Sequence, residues 1–305
     1  MLMQLAVGAA LLVTPVQGTD TTFAVNPNLR LDVSTYAGLI IVRTWDRNEI
    51  RLQAEHSRRD RIVVDRSDTE VRIRPASWAR WAEDFEVVIE RDEVMIHQES
   101  PRMPSIVDLE LTVPATMALE LGGPFTDVTV EGSQAAITIQ AKEGDIVVRG
   151  GRGRVTVRLV EGDVTIEDVT ATVRATTLDG DLTLANITGD VTAETTDGEI
   201  WLDGVRATNV EAYTVDGDIR FEGTIAAQGL YSFLSHDGDV TLYLPPDAGA
   251  RVMLATLDGD FTTDFGVTLP ERHEGRRVNF TLGDGGAEIE IETFDGDVEV
   301  LQIVP

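Results

Sequence analysis

The chain has no cysteine, only one lysine (Lys142), few aromatic residues and no apolar run long enough to cross a bilayer. Each absence excludes something. Without thiols there is no disulfide framework, thiolate metal site, thiol nucleophile or lipid-modified N-terminal cysteine. With 53 acidic residues against 25 basic ones, net −28, the surface repels phosphate, which disfavours nucleic-acid binding and docking on anionic membranes. The imbalance is uneven: residues 116–305 carry 35 acids against 12 basic residues, a net of −23. Cations and other proteins are the better partner classes. A salt-rich habitat or a GC-rich genome would produce the same bias.

The apolar content, 42% of 305 residues, is that of a folded protein, with room for one large domain or two. At the N-terminus, "MLMQLAVGAALLVTPVQGTDTT" has an apolar run from Leu5 to Val13, then Pro15 and the small-residue pattern ending at Gly18. This reads as a secretory signal peptide, residues 1–18, cut after Gly18, although a positive leading segment is missing. It is too short to span a bilayer, and a buried N-terminal strand or helix is the alternative. The expectation is an exported protein, periplasmic or at the cell surface.

What the chain has in abundance is a repeat. Aligned on glycine, the turns are Glu143-Gly144-Asp145, Glu161-Gly162-Asp163, Asp179-Gly180-Asp181, Asp197-Gly198-Glu199, Asp216-Gly217-Asp218, Asp237-Gly238-Asp239, Asp258-Gly259-Asp260 and Asp295-Gly296-Asp297. Their spacing is 18, 18, 18, 19, 21, 21 and 37 residues, the signature of a solenoid with one repeat per coil. Apolar residues alternate two and four positions after each glycine (Ile146/Val148, Val164/Ile166, Leu182/Leu184) and seven and five before it (Ile137/Ile139, Val155/Val157, Val173/Ala175). Period two means strands. Three residues before the glycine stands a hydroxyl, Thr177, Thr195, Thr214, Ser235, Thr256 or Thr293, suited to bonding backbone groups at a bend.

The expected fold is therefore all-β, a single-stranded parallel β-solenoid of the right-handed β-helix type with about 18–21 residues per coil. Residues 19–115 form a β-rich N-terminal cap and 116–305 the solenoid. Leu31, Val33, Ile40 and Val42 fit the coil template inside the cap, as do Leu119, Leu121, Val128 and Val130 at the solenoid's start. Open solenoid ends need covering, and the 37-residue gap and the terminal "VEVLQIVP" are expected to cover the far one.

Repeated x-Gly-Asp-Val turns after Val-x-Ala-x-Thr, with Val113-Pro114 and Leu244-Pro245 at strand ends, follow the signal-like segment. Over most of residues 23–303 the chain resembles a bacterial "putative adhesin" family of unknown function. The resemblance implies an exported or envelope-associated β-solenoid and has no catalytic residues to carry over.

Chemistry is harder to find. Asp-Gly is favoured at tight turns, so geometry alone explains every acidic turn. Stacked carboxylates nevertheless repel by roughly 1 kcal/mol per neighbour even in water. Spread side chains, counter-ions or Ca²⁺ would relieve this, and Asp181, Asp218, Asp239 and Asp260 are the weak metal candidates. The calcium-binding β-roll repeat is only distantly matched, through the nine-residue step between Gly180, Gly189 and Gly198. Ser235-His236-Asp237 cannot be a triad, since neighbours along a strand face opposite ways. His56, His97 and His273 show no ligand spacing. In "PASWARWAEDFE", read as a loop, Trp78, Arg80 and Trp81 are candidates for partner binding, or else cover the cap–solenoid junction; Trp201 is a second candidate contact, pointing outward beside Thr183 and Arg220. The reading is a non-catalytic envelope module with no cofactor, binding a protein or surface polysaccharide. A divalent-cation-binding solenoid and a carbohydrate-active enzyme are the alternatives.

Overall fold

Each coil consists of two strands, and the computed structural model describes residues 16–83, 85–90, 93–98, 103–267 and 277–303. The expected signal run Leu5–Val13 and His273 lie outside the described residues, as do the side chains of Trp81 and His97. First strands pair in parallel and in register, Ile137↔Val155↔Val173↔Val191↔Val210, and second strands do likewise, Ile146↔Val164↔Leu182↔Ile200↔Ile219. Parallel neighbours lie about 4.8 Å apart and side chains alternate faces, so each inward position becomes a continuous row. The aliphatic rows read from the sequence are all at most 3% exposed. Two inner faces meet directly, leaving a core two side chains thick; each Val, Leu or Ile so buried contributes about 1.5–3 kcal/mol.

A short third side closes the coil. After the second strand, Gly150, Asp168, Asn186 and Gly204 occupy one corner with φ of 62°, 57°, 54° and 65°, the left-handed region that Gly, Asn and Asp tolerate best. Buried Val169, Ile187 and Val205 follow. Gly189 sits at the next corner, against the carbonyl of Ala171. The nine-residue step from Gly180 to Gly189 to Gly198 is thus a walk between two different corners of one coil.

The N-terminal segment continues the stack. Strands Arg30–Ser34 and Ala37–Trp45 pair in parallel with 118–122 and 125–131, and Glu70–Pro75 and Asp108–Pro114 add one more layer. Three antiparallel strands then close this end: Ile62–Arg66 on Glu70–Pro75, Glu49–Ser57 on Asp108–Pro114, and Val16–Ala24 on Glu49–Ser57. "PASWARWAEDFE" is not a loop: Ala76–Glu83 is an α-helix. Asp60 caps it, its Oδ1 accepting from Ser77 N at 3.0 Å and its other oxygen meeting the Ser77 hydroxyl. Because the capping carboxylate comes from a distant turn, the local sequence does not announce the helix.

The C-terminal coils depart from chain order. Ala250–Asp258 and Arg277–Leu282 form an antiparallel pair that reverses the chain. The next coil, Ala287–Asp295 and Val298–Gln302, then inserts beneath, pairing with 230–234 and 240–244 on one side and with 250–258 and 261–263 on the other. The terminal "VEVLQ" is therefore an interior strand, contrary to expectation, and 250–263 is the outermost parallel coil, edged by antiparallel Arg277–Leu282. Both ends of the solenoid finish in antiparallel strands.

Where neighbouring coils are longest, Tyr231 ties the slack. Its hydroxyl donates to Ala207 O (2.6 Å) and accepts from Ala226 N (2.7 Å), and burial raises its pKa. We predict that Tyr231→Phe costs about 1–3 kcal/mol in urea unfolding, the usual penalty for orphaning buried polar groups. Gly180 has φ +140°, and a Cβ there would lie 2.1 Å from Gly162 O, whereas Gly150 has open space. Gly180→Ala should therefore cost more than ~2 kcal/mol, while Gly150→Asn, matching Asn186 two coils along the same corner, should shift stability by under ~0.5 kcal/mol. Equal losses at the two sites would contradict the stacking argument.

Candidate functional site

The turn glycines line one corner, flanked by two carboxylate rows. The row before the glycine runs Glu143, Glu161, Asp179, Asp197, Asp216, Asp237 and then Asp295, joined coil to coil through isolated bridges, with Asp258 paired to Asp295 at the end. The row after it serves as acceptor. Asp127 Oδ1 takes Asp145 N at 2.9 Å, Asp145 takes Asp163 N at 3.2 Å, Asp163 takes Asp181 N at 2.9 Å, and Asp181 takes Glu199 N at 2.8 Å. Beyond that point Asp218 takes Asp239 N, Asp239 takes Asp297 N and Asp297 takes Asp260 N, at 2.7–2.8 Å. The gap falls at Glu199, whose longer side chain instead accepts from Trp201 Nε1 at 2.7 Å.

On the other side of the glycine, the buried hydroxyls donate to the glycine carbonyl of the preceding coil: Thr177 to Gly162, Thr195 to Gly180, Thr214 to Gly198, Ser235 to Gly217, Thr293 to Gly238 and Thr256 to Gly296. Carboxylate and hydroxyl together satisfy backbone groups that the bend withdraws from the regular ladder. The acids that follow the glycines thus bond from coil to coil.

This geometry describes the metal candidates. Asp181, Asp218 and Asp239 each commit one oxygen to the next coil, and Asp260 ends the row at its outermost position. Among the described residues no three acidic or histidine side chains converge so as to hold a metal ion. A depression of about 760 Å³ at the C-terminal coils is lined by a single carboxylate, Glu292, near Arg277. Hydrolysis of a glycosidic bond needs two flanking carboxylates.

The aromatic candidates separate. Trp78 packs at a tilt against Tyr36, ring centroids 5.8 Å apart, and Tyr36 meets Phe125 at 5.3 Å, so Trp78 covers the junction of helix and first coils, with Arg80 exposed beside it. Trp201 lies between Thr183 and Arg220 on the opposite sheet, 47% exposed, with the Arg220 guanidinium 6.0 Å from its ring and 4.4 Å from that of Tyr243. His56 is buried against the Thr19 hydroxyl at 2.9 Å. His236 stacks on Phe294 with centroids 4.9 Å apart, while Ser235 turns inward to Gly217 O. That pairing was invisible in the sequence, because it depends on the inserted coil.

Asp181→Asn keeps the acceptor for Glu199 N and removes a charge, so it should leave stability unchanged or raise it, whereas Asp181→Ala should cost about 1 kcal/mol. Thermal unfolding should shift upward with added NaCl as the rows are screened. CaCl₂ at matched ionic strength should do no more, and a larger, chelator-reversible shift with CaCl₂ would mark specific calcium sites instead.

The Toastrack DUF4097 family matches residues 107–301. No curated protein matches the chain. Solved structures that it resembles include a "putative adhesin" from Bacteroides fragilis, 12% identical, covering 94% of this chain and 97% of that one at a TM-score of 0.39. A "putative cell adhesion protein" from Clostridium sporogenes is 10% identical, covering 94% and 100% at a TM-score of 0.20. A "putative lipid binding protein" from Parabacteroides distasonis is 8% identical, covering 94% and 97% at a TM-score of 0.33. Folded as a β-solenoid and matched by the family over more than half of its length, the chain belongs to the Toastrack DUF4097 family.

Proposed function

We propose that the chain is an exported, non-catalytic binding or structural module of the cell envelope that presents a regular acidic corner to a protein or surface polysaccharide. The observation that carries the reading is the fate of the carboxylates. One row is consumed as backbone acceptors and the other projects outward, with Lys142 paired to Glu143 at 2.7 Å at its first coil. Neither row converges on a cleft. The filled two-layer core leaves function to the outside, and the neighbours named as adhesins agree in kind. The apolar run before Gly18 supplies export, and cleavage there leaves the first strand from Thr19 onward.

The test is sedimentation of the purified chain with isolated bacterial envelopes and, separately, with anionic phospholipid vesicles. The chain should pellet with envelopes and not with vesicles, release no reducing sugar, and keep its binding in the Trp78→Ala/Trp81→Ala double variant. Failure to pellet with envelopes overturns the binding role. Equal pelleting with vesicles would make lipid the partner, and sugar release would make the chain an enzyme.

A further inference from the structure

The acidic corner has a second feature on its first-strand side. Positions four and two before each turn glycine face outward, on either side of the buried residue between them. Stacked over the coils, they frame a channel along the corner that deepens into a groove at each end. At one end Gln140, Lys142, Arg158 and Val160 line a groove of about 390 Å³. At the other, Tyr213, Leu234, His236, Phe294, Leu257 and Glu292 line the groove of about 760 Å³. Leu178 stands between them, 53% exposed. Of the eleven large apolar side chains exposed among the described residues, five (Val160, Leu178, Tyr213, Leu257 and Phe294) stand at these positions, a concentration that marks a contact surface.

The channel's own main chain is occupied. Leu178 N and Asp179 N bond Val160 O, Thr196 N and Asp197 N bond Leu178 O, Val215 N bonds Thr196 O, and Phe294 N bonds His236 O. A peptide cannot be recognised here by adding a strand, since that mode needs free backbone groups. What the channel offers is side-chain surface: the stacked His236 and Phe294 rings, 18° from parallel, the half-exposed Tyr213 ring, aliphatic patches, and carboxylate oxygens along the rim. A pyranose ring has the matching chemistry, an apolar C–H face to lie on an aromatic ring and hydroxyls to meet carboxylates. Charge narrows the choice further. The larger groove adjoins Asp216, Asp237, Asp295 and Glu292, and its cation Arg277 already lies 3.7 Å from Glu292, so an anionic chain is repelled.

We infer that this channel binds an extended non-acidic glycan along the solenoid axis, with sugar rings stacked on Tyr213 and Phe294. The inference rests on the envelope-module reading and names its ligand class. From Lys142 to Leu257 the channel spans eight coils, about 34 Å at the parallel-strand spacing, so affinity grows with the length of the glycan.

The test is calorimetric titration of the full chain with N-acetylglucosamine and glucosamine oligomers, from dimer to hexamer, and with a galacturonic acid hexamer as the anionic comparison. At least one non-acidic series should bind, more tightly with length, and the galacturonate should not. Tyr213→Ala/Phe294→Ala should weaken binding by about tenfold or more. Leu178→Glu, a solvent-facing change that does not touch the core, should weaken it too, while Trp201→Ala on the opposite sheet should not; thermal melts check that each variant is folded. Absence of heat with both non-acidic series, equal binding of galacturonate, or unchanged affinity in both channel variants overturns the inference. Envelope sedimentation of the unsubstituted chain tells the two readings apart: pelleting with envelopes but no heat with either non-acidic series sinks only the channel, and failure to pellet sinks the module.

Discussion

Everything in this molecule depends on stacking identical corners at the parallel-strand spacing, about 4.8 Å. At that distance the backbone of one turn touches the backbone of the next: a side chain at Gly180 would lie 2.1 Å from the carbonyl of Gly162. Close approach brings carbonyls and amides within reach of short side chains in the neighbouring coil. A threonine three residues before the glycine then reaches one carbonyl, and an aspartate one residue after it reaches one amide. Glycine, threonine and aspartate are three consequences of one contact, which is why they recur together. Where one changes, another contact takes over: Glu199 leaves the acceptor ladder and holds Trp201.

The same constraint decides how much could be read in advance. The period, the aliphatic rows and the hydroxyl row are set by contacts between equivalent positions of successive coils, so they repeat in the sequence and were legible there. Three features come from contacts that do not repeat. The helix at Ala76–Glu83 is capped by Asp60 from another turn. The order of the last coils is set by the antiparallel pairing of Ala250–Asp258 with Arg277–Leu282, which no local pattern encodes. The His236–Phe294 stack exists only because that order brings position 295 beside 237. The channel was missed for a related reason: its wall residues differ from coil to coil, so no motif marks them, although their positions are regular.

The accumulated charge is compatible with the fold because the two rows are treated differently. Carboxylates that accept a backbone amide recover part of their desolvation through a charge-assisted hydrogen bond. The others stay in water, where the repulsion between neighbours is roughly 1 kcal/mol and screened by salt. On the flat faces arginines neutralise acids one coil away, as in Arg149–Glu167 at 2.9 Å and Arg174–Glu194 at 2.6 Å. Exposed pairs of this kind add little stability. Their effect is to leave the net negative charge concentrated at the corner.

A solenoid of this kind separates stability from recognition along the coil itself. Inward positions, the glycines and the hydroxyls are tied to their neighbours, and a change at any of them is felt by two coils. Outward positions are tied to nothing inside, and whatever stands there is repeated at a fixed interval along a straight line. A partner that is itself a linear polymer meets such a line many times over, so weak single contacts add up without a deep pocket. The inserted C-terminal coil gives that line its polarity, because it sets Phe294 between His236 and Leu257 and places an aromatic end opposite the cationic end at Lys142 and Arg158. A chain that ran its coils in simple order would have the same core and the same acidic corner, but it would lack that aromatic platform.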